Sequence, residues 1–423
     1  MSCFLKKIRV KEFTWGHQRK VVIVTGASEG HGHRPRLLRG SVRGSIICTA
    51  SASATRGGMR RQTRSTWLTP SCSWLPTSRH LKDRIEASID KICRDLKDDG
   101  RLTAKVPNFG STQSLLYLDP NLKHISAYMA PLVESLEQLG YEDGKNMFGA
   151  PYDFRYGLAA KGHPSQVGSK FLDDLKNLIE TASDSNGGQP VILVSHSLGG
   201  LFALQLLDRN PISWRRKYIK HLVALSAPWG GAVDEMLTLA SGNTLGVPLV
   251  DPNLVRRNKR SSESNMWLLP SPAIFGGTKP LVVTPRAEYT AGDISRFLVD
   301  IGFSDGVSRY ESRVLPLVER VAAPPGVPVT CIFGSGVETA ETLVYGEGGF
   351  DKQPEIVYGD GDGTVNMPSF FCNEIEVLTL MFDIIWVIGV SKNIISETHM
   401  AYINIWNTTS SIISCIYNQI DST

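Results

Sequence analysis

Apolar residues in the middle of the chain follow two rhythms. Ile125, Tyr128, Met129, Leu132, Leu136 and Leu139 recur at intervals of three and four, as do Val167, Phe171, Leu172, Leu175, Leu178 and Ile179. That spacing predicts two amphipathic helices. The stretch Pro190-Val-Ile-Leu-Val-Ser is instead a continuous apolar run. A run of strand length without alternation fits a parallel strand buried on both faces. It passes through Ser-His-Ser-Leu-Gly-Gly into Leu201-Phe-Ala-Leu-Gln-Leu-Leu, a helix that must close before Pro211. Two more buried runs follow, His221-Leu-Val-Ala-Leu-Ser and Val327-Pro-Val-Thr-Cys-Ile-Phe-Gly. Strand, helix and strand joined by short links imply right-handed crossovers and a mostly parallel, doubly wound sheet of the α/β class.

Three zones separate along the chain. Residues 1–100 are irregular, apart from the strand-like run Val21-Val22-Ile23-Val24. Residues 101–370 carry the α/β pattern, loosened between about 232 and 325 by Gly, Pro and Ser. A long insert at that place in such a sheet is where lids and caps sit. Residues 371–423 shift to Ile, Asn, Ser and Thr and would complete the core.

Composition narrows the classes. With 423 residues, 42% hydrophobic and 20% charged, the chain is globular, and its net charge of +4 implies no nucleic-acid partner. Between residues 30 and 82 there are many arginines and no Asp or Glu. That composition predicts a poorly folded segment ahead of a basic arm for anionic surfaces. The 7 cysteines are odd in number and have no metal-ligand spacing, so neither a disulfide framework nor a metal or cofactor is expected. The N-terminus has no apolar run of signal-peptide length, and the stretch Leu378 to Val390, broken by Asp383, is too short to span a bilayer. Asn407-Thr-Thr409 is a glycosylation sequon, informative only on a secretory route.

The chemistry centres on Ser195-His-Ser197-Leu-Gly199, a G-x-S-x-G pattern with serine at the first place. A nucleophile elbow needs small residues around its serine, because the strand-to-helix turn is sharp and strained. The turn exposes the Ser197 hydroxyl and aims the Leu198 N–H at a developing oxyanion. An acid and then a histidine should follow in chain order. Asp360 and Asp362, in Val357-Tyr-Gly-Asp-Gly-Asp-Gly-Thr-Val, lie on a Gly-rich loop after a strand. That loop has too few acidic ligands for an EF-hand, so its competing reading is a simple turn. After Asp362 the sequence holds one histidine, His399, in Ser396-Glu-Thr-His-Met.

Several longer strings are recognisable together. Val106-Pro-Asn-Phe-Gly-Ser-Thr, Leu116-Tyr-Leu-Asp-Pro, Phe148-Gly-Ala-Pro-Tyr-Asp-Phe-Arg-Tyr, Val194-Ser-His-Ser-Leu-Gly-Gly, Leu225-Ser-Ala-Pro-Trp-Gly-Gly and Tyr358-Gly-Asp-Gly-Asp-Gly-Thr-Val stand in order over roughly residues 100–370. This part of the chain resembles the plant lecithin–cholesterol acyltransferase-like family. The resemblance implies an α/β-hydrolase fold with a lid and cap. It implies acyl transfer from a phospholipid to an alcohol or sterol-type acceptor through an acyl-serine, with transient contact at a lipid surface. Ser197 then resembles the nucleophile, Asp362 rather than Asp360 the triad acid, and Phe109 and Leu198 the oxyanion-hole N–H donors. Trp229 lies in a motif near the substrate pocket, where a packing role is equally open.

Two places depart from the family. Its first strand ends in Pro-Gly-x-x-Gly-Asn, whereas here the strand runs into Thr25-Gly-Ala-Ser-Glu-Gly-His-Gly. That string resembles a dinucleotide-binding turn, but no helix-forming sequence follows it, and a chance or chimeric fragment is the preferred reading. At the other end the family's Gly-Val-Ser-His is Gly389-Val-Ser-Lys392. A lysine ammonium is a poor general base at neutral pH. Either His399 serves as base or the triad is broken. The readings carried forward are a lipid O-acyltransferase, a phospholipase on the same ester, and a catalytically impaired lipid-binding paralogue.

Overall fold

The computed structural model describes residues 21–28, 106, 108–117, 123, 127–160, 165–244, 251–319 and 326–370. The basic segment, Lys392 and His399 lie outside them. The first half of the fold runs β1 (Val21–Ser28), α1 (Ala130–Gln138), β2 (Met147–Asp153), α2 (Gln166–Ser185), β3 (Val191–His196), α3 (Leu198–Arg209), α4 (Ile212–Tyr218) and β4 (Ile219–Leu225). The second half contains α5 (Val233–Ala240), α6 (Pro252–Arg260), α7 (Glu263–Trp267), β5 (Val282–Val283), β6 (Glu288–Tyr289), α8 (Ile294–Asp300), β7 (Val329–Ile332), β8 (Val337–Val344) and β9 (Glu355–Gly361).

The main sheet has the order β2-β1-β3-β4-β7, and every neighbouring pair is parallel. Its strands read as unbroken apolar runs because both faces are covered. Val21, Ile23, Val191, Leu193, Leu222 and Ala224 point to the side packed by α2 and α3. Val22, Ile192, Val194, Val223, Leu225 and Ile332 point to the other side, against Met129, Leu132, Val133 and Leu136. Helices on both faces make the sheet doubly wound, as the hydrophobic pattern predicts. On the α2–α3 side, Tyr152, Phe171, Phe202 and Trp267 form a run of tilted and edge-on rings with centroids 5.0–5.1 Å apart.

Two boundaries differ from the sequence pattern. Tyr128 and Met129 belong to the periodic stretch but precede α1, which starts at Ala130 with a proline in its first turn. Proline is suited to that place because its missing N–H would be unsatisfied there anyway. The other concerns β1, which comes from the irregular first zone of the chain and lies between β2 and β3 in the middle of the sheet. Val21, Val22 and Ile23 are at most 1% exposed, which explains why they form an unbroken apolar run.

A second sheet, ordered β6-β5-β8-β9, is mixed. Its short β5–β6 hairpin comes from the loosely patterned stretch, while β8 and β9 come from later in the chain. That stretch is therefore not a detached unit. Tyr289, Phe297 and Leu298 share one core with Leu343 and Tyr345 and with the main sheet. Among the described residues, no helix is long and apolar enough to cross a membrane.

Candidate active site

Ser197 joins β3 to α3 with φ +51° and ψ −127°. Non-glycine residues avoid positive φ because Cβ crowds the backbone, and strain of this kind collects at functional sites. Here the turn is held from both sides. The Ser197 N–H donates to the Leu225 carbonyl at 2.9 Å, and the Ser197 carbonyl accepts from Gly200 at 2.8 Å. Gly200 is required by close packing: a Cβ there would sit 2.5 Å from the Ala227 methyl. Ser195, in the place of the usual first glycine, is fully buried and donates to the Val223 carbonyl at 3.4 Å. Leu198 is the first residue of α3, where the N–H has no acceptor within the helix.

The Asn108–Thr112 loop lies against β2. Its Gly110 N–H donates to the Gly149 carbonyl at 2.8 Å. A Cβ on Gly149 would lie 2.1 Å from the Ser111 carbonyl oxygen, so only glycine allows this approach. Asp143 fixes the loop from the side, accepting from the Ser111 hydroxyl at 2.5 Å and the Thr112 N–H at 2.8 Å. Nothing in the sequence pattern singles out Asp143. Asn108 and Gly110 have φ of +57° and +97°, which brings Phe109 to the tip of the turn. The Phe109 ring stands edge-on to Phe171, with centroids 6.4 Å apart.

The structure separates the two candidate acids. Asp360 lies on β9 and accepts from the Gly336 N–H at 2.6 Å. Asp362 lies beyond the strand, and one carboxylate oxygen accepts from Thr364 at 3.0 Å and Val365 at 2.8 Å. Burial pushes the Asp362 carboxyl above its ordinary pKa, opposed by those two N–H groups and by the Ser226 hydroxyl. The loop is pinned beneath the turn after β4. Asn366 accepts from Val233 N–H at 3.1 Å and donates to the Ala340 carbonyl at 2.7 Å, and the Ser369 hydroxyl accepts from Gly230 at 3.0 Å. Ser226 directly follows β4, whose last carbonyl holds the Ser197 N–H. The second sheet therefore delivers Asp362 to the carboxyl edge of the first.

Trp229 is 9% exposed, lies in the shared core and would touch a Cβ added at Gly200 at 3.5 Å. A packing role accounts for these surroundings. The histidines within the described residues, His196 and His221, are both engaged elsewhere. His196 Nδ1 meets the Tyr128 hydroxyl at 2.9 Å, and burial lowers its pKa to about 4. His221 Nε2 meets the Thr330 hydroxyl at 2.8 Å. His399, the expected base, lies outside the described residues.

A strained serine between strand and helix, at the carboxyl edge of a doubly wound parallel sheet, defines an α/β-hydrolase fold. Residues 90–315 match the family model described as Lecithin:cholesterol acyltransferase, and the chain belongs to that family. It is 58% identical over 314 residues to Lecithin-cholesterol acyltransferase-like 1 of Arabidopsis thaliana, covering 74% of this chain and 72% of that one. It is 40% identical over 288 residues to the Lysosomal phospholipase A and acyltransferase of Canis lupus familiaris, covering 68% of each. To the Phosphatidylcholine-sterol acyltransferase of Gallus gallus it is 32% identical over 304 residues, covering 70% of this chain and 71% of that one.

Proposed function

We propose that this protein is a lipid O-acyltransferase that moves a fatty acyl group from a phospholipid to an alcohol, of the sterol type, through an acyl-Ser197 intermediate. The observation that carries this reading is Ser197 at φ +51°, held on a strand-to-helix turn by the Leu225 carbonyl. The Ser197 Oγ attacks the ester carbonyl while its proton passes to the base, for which His399 is the candidate. Asp362 orients that imidazole and stabilises its charged form. The N–H groups of Leu198 and Phe109 receive the oxyanion. The base returns the proton to the departing lysophospholipid alcohol, leaving the acyl-enzyme. An acceptor alcohol then attacks the acyl carbonyl, giving its proton to the base; the acyl–Oγ bond breaks and the base returns the proton to Ser197. The stretch 232–325, which supplies α5 to α8 and the β5–β6 hairpin, serves as lid and cap over the lipid chains, with the site making transient contact with a lipid surface.

A second reading is a phospholipase A with water as acceptor. The dog relative favours it, since its name carries both activities. Vesicles of acyl-labelled phosphatidylcholine, with and without sterol, separate the two. Labelled sterol ester supports the transferase. Labelled fatty acid alone, with sterol present, refutes it and leaves the phospholipase.

A further inference from the structure

Ser226 carries two structural costs that glycine would remove. Its φ is +44°, in the left-handed region where a Cβ is strained. Its residue is 5% exposed and its Oγ has no partner in good hydrogen-bonding geometry. A buried unpaired hydroxyl calls for an explanation, because native structures leave few of them. The backbone has its own anchor, the Ser226 N–H donating to the Ile332 carbonyl at 2.7 Å. Strain and burial therefore place the side chain, and the turn it opens is bonded to the segment that follows Asp362, Gly230 N–H to the Ser369 hydroxyl at 3.0 Å and Val233 N–H to Asn366 at 3.1 Å, which sets the hydroxyl beside the Asp362 carboxylate.

We propose that Ser226 is a positioning residue for the triad acid, its hydroxyl turning to donate to Asp362 and hold the carboxylate ionised and aimed at the base. This rests on the reading of Asp362 as that acid. The arrangement links the site's two supports. Ser226 directly follows β4, the strand next to β3, and Asp362 directly follows β9 of the second sheet. A donor on the first sheet gives the carboxylate a fixed direction that the loop's own N–H groups, from Thr364 and Val365, do not supply alone. The other titratable groups around the loop are occupied or set apart. Asp360 is held by the Gly336 N–H, and Glu338 stands opposite it in the β8–β9 ladder. Asp234 and Glu235 lie in the first turn of α5, and His196 is bonded to Tyr128.

The test follows covalent labelling of Ser197 by a fluorophosphonate probe, in which Oγ displaces fluoride from phosphorus, from pH 4.5 to 9. Ser197→Ala is the blank. Ser226→Ala keeps the strain and loses the hydroxyl, whereas Ser226→Gly loses both. Without the donor, Asp362 takes up its proton at higher pH, so the acid limb of the labelling rate should move up by about half to one pH unit in both variants. Ser226→Gly should match or exceed the unaltered chain in Tm, which keeps the test valid if Ser226→Ala does not fold. Unaltered pH dependence in the glycine variant, with Asp362→Asn unreactive, overturns the role of Ser226 and leaves the acid in place. Asp362→Asn labelling at full rate, or no labelling of the unaltered chain at any pH, overturns the proposed triad and this inference with it.

Discussion

Substituting Gly149 by alanine should damage catalysis out of proportion to stability. The added methyl would lie 2.1 Å from the Ser111 carbonyl oxygen, 2.5 Å from its carbon and 2.8 Å from the Thr112 Cα. All three are backbone atoms, so no rotamer change relieves the clash. The Asn108–Thr112 loop must retreat by about 1–1.5 Å to reach ordinary van der Waals separation. Retreat stretches the 2.8 Å bond from Gly110 N–H to the Gly149 carbonyl and carries the Phe109 N–H away from the place proposed for the oxyanion. Asp143 holds the far side of the loop by two hydrogen bonds, so the displacement falls on the tip. Losing one oxyanion donor costs roughly 10²–10³ in kcat. Overpacking costs about 1–3 kcal/mol of stability, which leaves a folded protein at 25 °C. The assay is hydrolysis of a short-chain nitrophenyl ester, with kcat and KM measured separately and Tm recorded. The expected result is a fall of about 100-fold in kcat with KM changed less than about threefold. A folded Gly149→Ala protein with kcat within threefold of the unaltered chain would refute the oxyanion assignment.

Lys392→His should raise esterase turnover if the base has been lost from that place; an equal or lower rate in the folded variant counts against a broken triad. Burial raises the Glu235 carboxyl to about 7, and its Oε2 is buried with no partner. Because the folded pKa is raised, the native state holds a proton that the unfolded chain releases above its ordinary value, so stability is lost as pH rises through about 7. Glu235→Gln should thus stabilise by about 1–3 kcal/mol at pH 8 and by little at pH 4, read from urea midpoints; equal gains at both pH values would refute the mechanism. His196 acts in the opposite direction. Its pKa is depressed from 6.5 to about 4, so the unfolded chain takes up a proton that the native one refuses, and up to about 3 kcal/mol is lost as pH falls across that window. Tyr128→Phe, which removes the hydroxyl that meets His196 Nδ1, should cost about 1–3 kcal/mol in urea denaturation at pH 8.

The sequence by itself determined the layers and the strand-to-helix turn that carries Ser197. Val191–Val194 is an unbroken apolar run because it is buried on both faces, and the small residues at 195, 199 and 200 mark a turn, where a Cβ on Gly200 would meet the Ala227 methyl. Such features depend on neighbours a few residues away, so their pattern is written along the chain. The string from Val21 to Ser28 shows the limit. Its apolar run identified a strand, but only the sheet places it between β2 and β3. The same limit separates Asp360 from Asp362. Both stand in one glycine-rich string, and the string does not say which side chain turns back to Gly336 and which comes beside Ser226. Asp143 and Ser226 gave no signal at all, because their roles arise from contacts across distant segments: 143 to 111, 226 to 362. Local spacing encodes helices, strands and turns, whereas a charged or hydroxyl side chain acquires its role from what tertiary folding sets against it.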